Sequence, residues 1–233
     1  MGCLYEDARP HSWDEVAGQE KIIRTLDSIR ERSGNLGGRA FWIQGPSGTG
    51  KTTIGRLIAE ELSDSHAIYE EDAKQVTADW LNMMEGWCRR KPIHRRSGGE
   101  QWHTVLINEA HGLSSHAVSR LQTILEDKRV QCASTWIFTT TNKGQLSLFD
   151  RALDAQPLLS RCIMLNTGAW DGGGGELNGG DGPVLPFAMR LRSVAQKHGL
   201  DGRDLKEYVD LVRRNQGNLR KCFNEIESGA MLP

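Results

Sequence analysis

No stretch of this 233-residue chain stays apolar long enough to cross a bilayer as a helix, and the N-terminus has no signal-peptide core. Both absences predict a cytoplasmic protein with no membrane partner. Cysteine is sparse: Cys3, Cys88, Cys132, Cys162 and Cys222 are scattered, with no C-x-x-C pair. That spacing offers neither a disulfide framework nor a zinc site, and it fits a reducing interior. A charge excess is missing too, since 29 basic residues face 30 acidic ones for a net charge of -1. A global field that would attract nucleic acid is thereby excluded, although local patches are not. What remains is ordinary: 38% hydrophobic and 25% charged residues, with length enough for one or two domains.

The informative stretch runs from Ala40 to Leu62, AFWIQGPSGTGKTTIGRLIAEEL. Phe41, Trp42 and Ile43 form a short apolar run of strand type, and Ile54, Leu57, Ile58 and Leu62 recur at helical spacing. Between them Gly45, Pro46, Ser47, Gly48, Thr49, Gly50, Lys51 and Thr52 match G-x-x-x-x-G-K-[ST], with Thr53 following. Glycines let successive backbone N–H groups turn inward on a phosphate, and a helix N-terminus adds partial positive charge. Lys51 then bridges the β- and γ-phosphates while the Thr52 hydroxyl holds Mg²⁺. The chain is expected to bind a nucleoside triphosphate with Mg²⁺.

Around this loop the chain alternates strands and helices. Ile22, Ile23 and Leu26 predict a helix after a loop, with Ser12 or Asp14 as its cap. Ala67 to Tyr69 begins a short strand, and 77–87 reads as a helix with Trp80, Leu81, Met84 and Trp87 on one face. The run from Cys88 to Gly99, CRRKPIHRRSGG, is either a solvated loop or a phosphate-contacting patch for DNA or RNA. Buried strands are predicted over His103 to Glu109 and Thr135 to Asn142. Between them lies a helix capped by Ser114 or Ser115, with a stripe of Val118, Leu121, Ile124 and Leu125. Such alternation argues for an α/β fold: a parallel sheet covered by helices on both faces. Ligand-handling residues then lie at the carboxyl ends of strands, where Gly45, Asn108 with Glu109, and Thr141 with Asn142 all fall. The glycine-saturated segment 169–183 reads as a linker or insertion between an α/β domain (1–168) and a small three-helix domain (184–233).

With those residues in view, the chain resembles an AAA+ ATPase of the clamp-loader type, the DnaX and replication factor C group. Arg9, Pro10, Trp13, Val16, Gly18 and Gln19 resemble the family's N-terminal box, which lies against the nucleotide base. Gly45 to Thr52 is similar to its Walker A loop, Ile107 to His111 to Walker B, and Thr141 with Asn142 to sensor 1. Ser160-Arg161-Cys162 resembles the motif whose arginine reaches a neighbouring subunit's site, and Gly217 to Arg220 the sensor-2 position on the lid. The resemblance implies a P-loop NTPase fold with a helical lid, in which Glu109 polarises the attacking water. It further implies that Thr141 or Asn142 senses the γ-phosphate, that Arg220 closes the lid, and that Arg161 completes a neighbour's site. Other AAA+ subunits, DNA and a sliding clamp are the partners it implies.

Two departures qualify the resemblance. Asn108 stands where the family has an aspartate that orients water on Mg²⁺. One charge–charge interaction at ~4 Å and an effective dielectric of about 20 is on the order of 4 kcal/mol, and even ~1.4 kcal/mol is a tenfold effect. Slow rather than absent hydrolysis is expected, with Asn108→Asp raising turnover. The chain also ends at Pro233, directly after the lid and without the family's collar domain, and it carries no zinc module between the Walker motifs. Assembly is then expected through the AAA+ modules alone or with partners that supply the collar. The leading function is an ATP-hydrolysing subunit of a clamp-loader-like assembly acting on DNA. A nucleotide-gated assembly module with little turnover, or a DNA motor such as a branch-migration helicase, are the alternatives.

Overall fold

The computed structural model describes residues 3–92, 101–141, 155–167 and 184–233. Arg95, Arg96, Asn142 and the glycine-rich segment 169–183 lie outside the described residues.

Five strands, β1 (Ala40–Gln44), β2 (Ile68–Asp72), β3 (His103–Asn108), β4 (Ser134–Thr140) and β5 (Cys162–Asn166), form one sheet in the order β2-β3-β4-β1-β5. Every pairing is parallel, with Trp42 opposite Phe138 and Met164, and Asp72 opposite Asn108. A parallel ladder needs long crossovers, and helices supply them. They are α3 (Lys51–Leu62), α4 (Ala78–Cys88), α5 (Ser115–Glu126), α6 (Lys128–Ala133) and α7 (Ala155–Ser160), preceded by the short α1 (Leu4–Asp7) and by α2 (Glu20–Ser33) ahead of β1. Three more helices follow: α8 (Val184–Lys197), α9 (Leu205–Arg214) and α10 (Leu219–Glu227).

The period of two along the strands sorts the core by face. Trp42, Val105, Ile107, Trp136 and Phe138 pack with Leu81, Met84 and Cys88 of α4, with the α5 stripe and with Leu158 of α7. Alternate residues face α3, where a Cβ on Gly55 would lie 3.0 Å from a Leu106 methyl. Helix and sheet approach there as closely as a missing side chain allows. Each fully buried Leu, Ile or Phe contributes roughly 1.5–3 kcal/mol, so a core of this extent is what holds the sheet between its helices.

Local signals set the element ends. Ser114 caps α5 by accepting from Ala117 N–H at 3.2 Å, and Thr77 caps α4 by accepting from Trp80 N–H. Ser12, by contrast, precedes a 3-10 turn at Trp13–Glu15, and α2 begins only at Glu20. The face expected for α4 is rotated. Its buried residues are Leu81, Met84, Glu85 and Cys88, whereas Trp87 is 45% exposed and stacks on Tyr69 at 5.1 Å. The reason is Glu85, whose carboxylate is buried because Arg120 and Arg89 (3.0 Å) pair with it.

The chain divides into two compact units. The first comprises residues 1–23, 46–53 and 167–233; the second comprises 24–45 and 54–166. In the first, Leu4 and Ala8 of the N-terminal segment join Phe187, Leu191, Tyr208, Leu211, Phe223 and Ile226 of the three C-terminal helices in one core.

Candidate functional site

Within the first unit the glycine loop is tied to the C-terminal helices. Gly48 has φ +78°, Gly50 φ +94°, and Lys51 opens α3 while only 7% exposed. The Lys51 ammonium donates to the Pro46 carbonyl at 2.7 Å, and Thr49 Oγ1 donates to the same oxygen at 2.8 Å. A loop bent back on its own carbonyl keeps the ammonium buried and held in place. Gln19, buried at 4% exposure, donates from Nε2 to the Thr49 carbonyl at 3.2 Å, and Thr49 Oγ1 lies 2.7 Å from Thr167 Oγ1. At the start of α10, Leu219 N–H donates to the Gly48 carbonyl at 3.1 Å. The neighbouring Asn218 caps that helix by accepting from Lys221 N–H. The lid-type helix is thus hydrogen-bonded to the phosphate-type loop.

Arg220, expected to act on nucleotide, is exposed and holds its guanidinium 5.3 Å over the Tyr5 ring. Of the N-terminal box, Arg9 pairs with Glu6 at 2.8 Å, Pro10 and Val16 are half-buried, and Gln19 alone reaches the loop in the contacts described above. Ser47 is exposed, while Thr52 and Thr53 are half-buried in the first turn of α3.

The second unit carries the strand-end residues. Asn108 closes β3, and its amide is held on both sides: Nδ2 donates to Glu70 Oε1 at 2.7 Å and Oδ1 accepts from Thr139 Oγ1 at 3.0 Å. Glu109 follows with φ +51°, a left-handed conformation uncommon for a residue with a side chain. The strain turns its half-exposed carboxylate out of the strand, 3.3 Å from His111 Nδ1. His111 Nδ1 also lies 3.3 Å from Thr140 Oγ1 at the end of β4, next to Thr141. Four chemistry-bearing side chains (Asn108, Glu109, His111, Thr141) therefore lie at or just past the carboxyl ends of β3 and β4.

Arg161 stands at the opposite end of the sheet, immediately before β5. Its guanidinium pairs with Glu126 and donates to the Pro157 carbonyl, and the side chain is 28% exposed. Parallel strands put it a full strand length from Asn108 and Glu109 of its own chain. Glu70, Thr139 and Thr167 escape sequence reasoning. Gln19 and Asn218 had a signal, each as a polar residue inside a recognised motif.

The donor set suits a nucleoside triphosphate and its cation. A Cβ at Gly50 would meet nothing within 4 Å, so the loop leaves open space at its tip. Glycines in positive φ, a lysine and a threonine hydroxyl are phosphate-binding chemistry. Among the described residues no group of three or more His, Cys, Asp or Glu converges on a common point. A cation here would accordingly lean on phosphate oxygens and water, as Mg²⁺ does.

A glycine loop between β1 and α3 of a five-stranded parallel sheet defines the fold of a P-loop NTPase. The model of the ATPase family associated with various cellular activities (AAA) matches residues 41–164, more than half of the chain, and the protein belongs to that family. In sequence it is 26% identical to replication factor C small subunit 1 of Pyrobaculum arsenaticum, over 97% of this chain and 61% of that protein. It is 27% identical to the replication factor C small subunit of Haloarcula marismortui, over 97% and 62%. The chain thus spans about three fifths of the length of the curated relatives it matches. Among solved structures, the RuvB Holliday junction branch migration motor of Thermotoga maritima superposes with a TM-score of 0.65 at 19% identity, covering 94% of this chain and 64% of that one.

Proposed function

We propose that this protein is an ATP-binding and ATP-hydrolysing subunit of a clamp-loader-like assembly that acts on DNA inside the cell, with slow turnover. The observation that carries the reading is the Gly45–Thr52 loop, with Lys51 buried at the start of α3 and Gly48 hydrogen-bonded to the lid helix α10. The similarity to replication factor C small subunits over nearly the whole chain supports it.

The roles follow from chemistry. Backbone amides of Gly48 and Gly50 and the Lys51 ammonium, exchanged from the Pro46 carbonyl, hold the β- and γ-phosphates. Thr52 and Asn108 would hold Mg²⁺, which would supply positive charge against the phosphate oxygens. Glu109 accepts the proton of the water whose oxygen attacks the γ-phosphorus, and ADP leaves. Thr141, with Asn142, reads the terminal phosphate. Arg9, Pro10 and Val16 line the base, and Arg220 leaves Tyr5 to close the lid. Arg161, remote from its own Glu109, completes the site of an adjacent AAA+ subunit, and a sliding clamp is the client.

Calorimetry with ATP on the full chain tests the core of this reading. Uptake that is lost in Lys51→Ala supports it, and no uptake by folded wild-type protein overturns it. ATPase rate with and without primed DNA, at a known assembly state, tests the rest. A second reading, a nucleotide-gated assembly module with little turnover, is favoured by the neutral Asn108. Tight uptake without measurable hydrolysis in the assembled state would select it.

A further inference from the structure

One side chain outside the recognised motifs governs Asn108. Glu70 lies in β2, whose register sets Glu70 opposite Leu106 and Asp72 opposite Asn108. Leu106 and Asn108 share the sheet face that α3 covers. From α3, Arg56 donates Nε to Glu70 Oε2 at 2.9 Å and Nη2 to Oε1 at 3.1 Å. The same Oε1 accepts Asn108 Nδ2–H at 2.7 Å, and Asn108 Oδ1 accepts from Thr139. The chain Arg56–Glu70–Asn108–Thr139 joins α3, β2, β3 and β4 within one compact unit. Its direction is fixed. An ionised carboxylate only accepts, so the amide must turn its NH₂ to Glu70 and its oxygen to Thr139.

Resting on the proposed ATPase reading, we propose that Glu70 is a positioning residue of the hydrolytic site. Its carboxylate orients the Asn108 amide, and it carries on β2 the negative charge that position 108 lacks on β3. An aspartate at 108 would set a carboxylate oxygen against Glu70 Oε1 where the amide N–H now donates, so the hydrogen bond is lost and two like-charged acceptors face each other. The expectation that Asn108→Asp raises turnover therefore holds only where Glu70 has been neutralised. Glutamine at 70 keeps a carbonyl able to accept Asn108 Nδ2–H, and it can donate to an aspartate at 108. Alanine at 70 does neither.

The test is steady-state ATPase on the full chain at one protein concentration, for wild type, Glu70→Ala, Glu70→Gln, Asn108→Asp and the double variant Asn108→Asp with Glu70→Gln. Removing a residue that orients a site group is expected to lower kcat about tenfold in Glu70→Ala while KM for ATP stays near wild type. Glu70→Gln recovers most of that loss. Asn108→Asp alone falls below wild type, and adding Glu70→Gln raises it again. The proposal is overturned if Glu70→Ala turns over like wild type, if Glu70→Gln is no better than Glu70→Ala, or if the double variant is no faster than Asn108→Asp. Should Glu70→Ala fail to fold, the glutamine and double variants decide alone. Wild type that neither binds nor hydrolyses ATP would sink the ATPase reading instead. In that case thermal unfolding still decides the pairing. Asn108→Asp lowers the melting temperature by about 3 °C with Glu70 present and by clearly less with glutamine there; equal shifts in both backgrounds refute the pairing.

Discussion

Replacing Gly48 by alanine tests the tie between the glycine loop and the helix α10, and its cost can be worked from geometry. At φ +78° the backbone is left-handed, which costs a residue bearing a Cβ about 1–2 kcal/mol. The new methyl would also lie 2.0 Å from Asn218 Oδ1 and 2.5 Å from its Cγ. Those atoms belong to the end of a flexible side chain, so they swing away, but Oδ1 is the acceptor that caps α10 at Lys221 N–H. Losing an asparagine cap costs about 1 kcal/mol. Gly48→Ala is thus expected to destabilise the fold by about 2–3 kcal/mol, and Asn218→Ala by about 1 kcal/mol. In the double variant the cap is lost only once. The two effects should fall short of additivity by about 1 kcal/mol, the sign of a shared partner. Urea unfolding of the four proteins, monitored by circular dichroism, measures the cycle. Strict additivity would mean that Asn218 does not lie against Gly48, and the described tie would be wrong.

Glu85→Ala leaves the Arg120 guanidinium on Asn82 without its buried carboxylate and removes one of two acids on Arg89. Because both arginines reach solvent, the cost should be about 2 kcal/mol rather than the 3–5 kcal/mol of a fully buried pair, read as a shift in the urea midpoint. His103 is pushed below the ordinary imidazole pKa by burial first and by the nearby His66 in the same direction, against an opposing contact with Arg90. Its contribution to stability is full above the unfolded value near 6.5 and is lost as pH falls through the folded value. His103→Gln should flatten the stability profile below about pH 6.5, and an unchanged acid slope would refute the assignment. Burial pushes the Cys88, Cys162 and Cys222 thiols up to about 12, whereas Cys3 and Cys132 are exposed. A thiol-specific chromophore at pH 8 should therefore label Cys3 and Cys132 quickly, the partly exposed Cys162 slowly, and Cys88 and Cys222 only on unfolding.

The sheet, the loop and the run of helices were legible because each is written within one short window of sequence. A glycine pattern between a strand run and a helix run needs no tertiary knowledge, and neither does the stripe of Val118, Leu121, Ile124 and Leu125. Strand β5 escaped because Cys162 to Asn166 is short, and part of it was read as a motif rather than as an element. Trp87 was assigned to the buried face because a carboxylate at 85 looks like surface until Arg120, 35 residues away, is known to meet it. The partners of Asn108 were beyond reach for the same reason. Glu70 lies 38 residues earlier and Thr139 lies 31 later, and only the parallel register sets them side by side. Strands buried on both faces read as continuous apolar runs, and such a run specifies register between strands only weakly.

That register changes what the departure at position 108 means. An aspartate there would stand in hydrogen-bond contact with Glu70, and two carboxylates so close share one proton at acid pH and repel once it is lost. While that proton is held, the pair carries a single negative charge. Asparagine with Glu70 carries the same single charge, and the amide N–H does permanently what the shared proton would do only below the upper pKa of the dyad. The substitution therefore removes a pH dependence together with a repulsion. Asn108→Asp should make both stability and turnover fall as pH rises through that upper pKa, because the raised folded pKa stabilises only while the proton is bound. Wild type should show no such step. A pH–rate profile and a pH–stability profile on the two proteins check this, and an Asn108→Asp profile parallel to wild type from pH 5 to 9 would show that Glu70 does not face position 108.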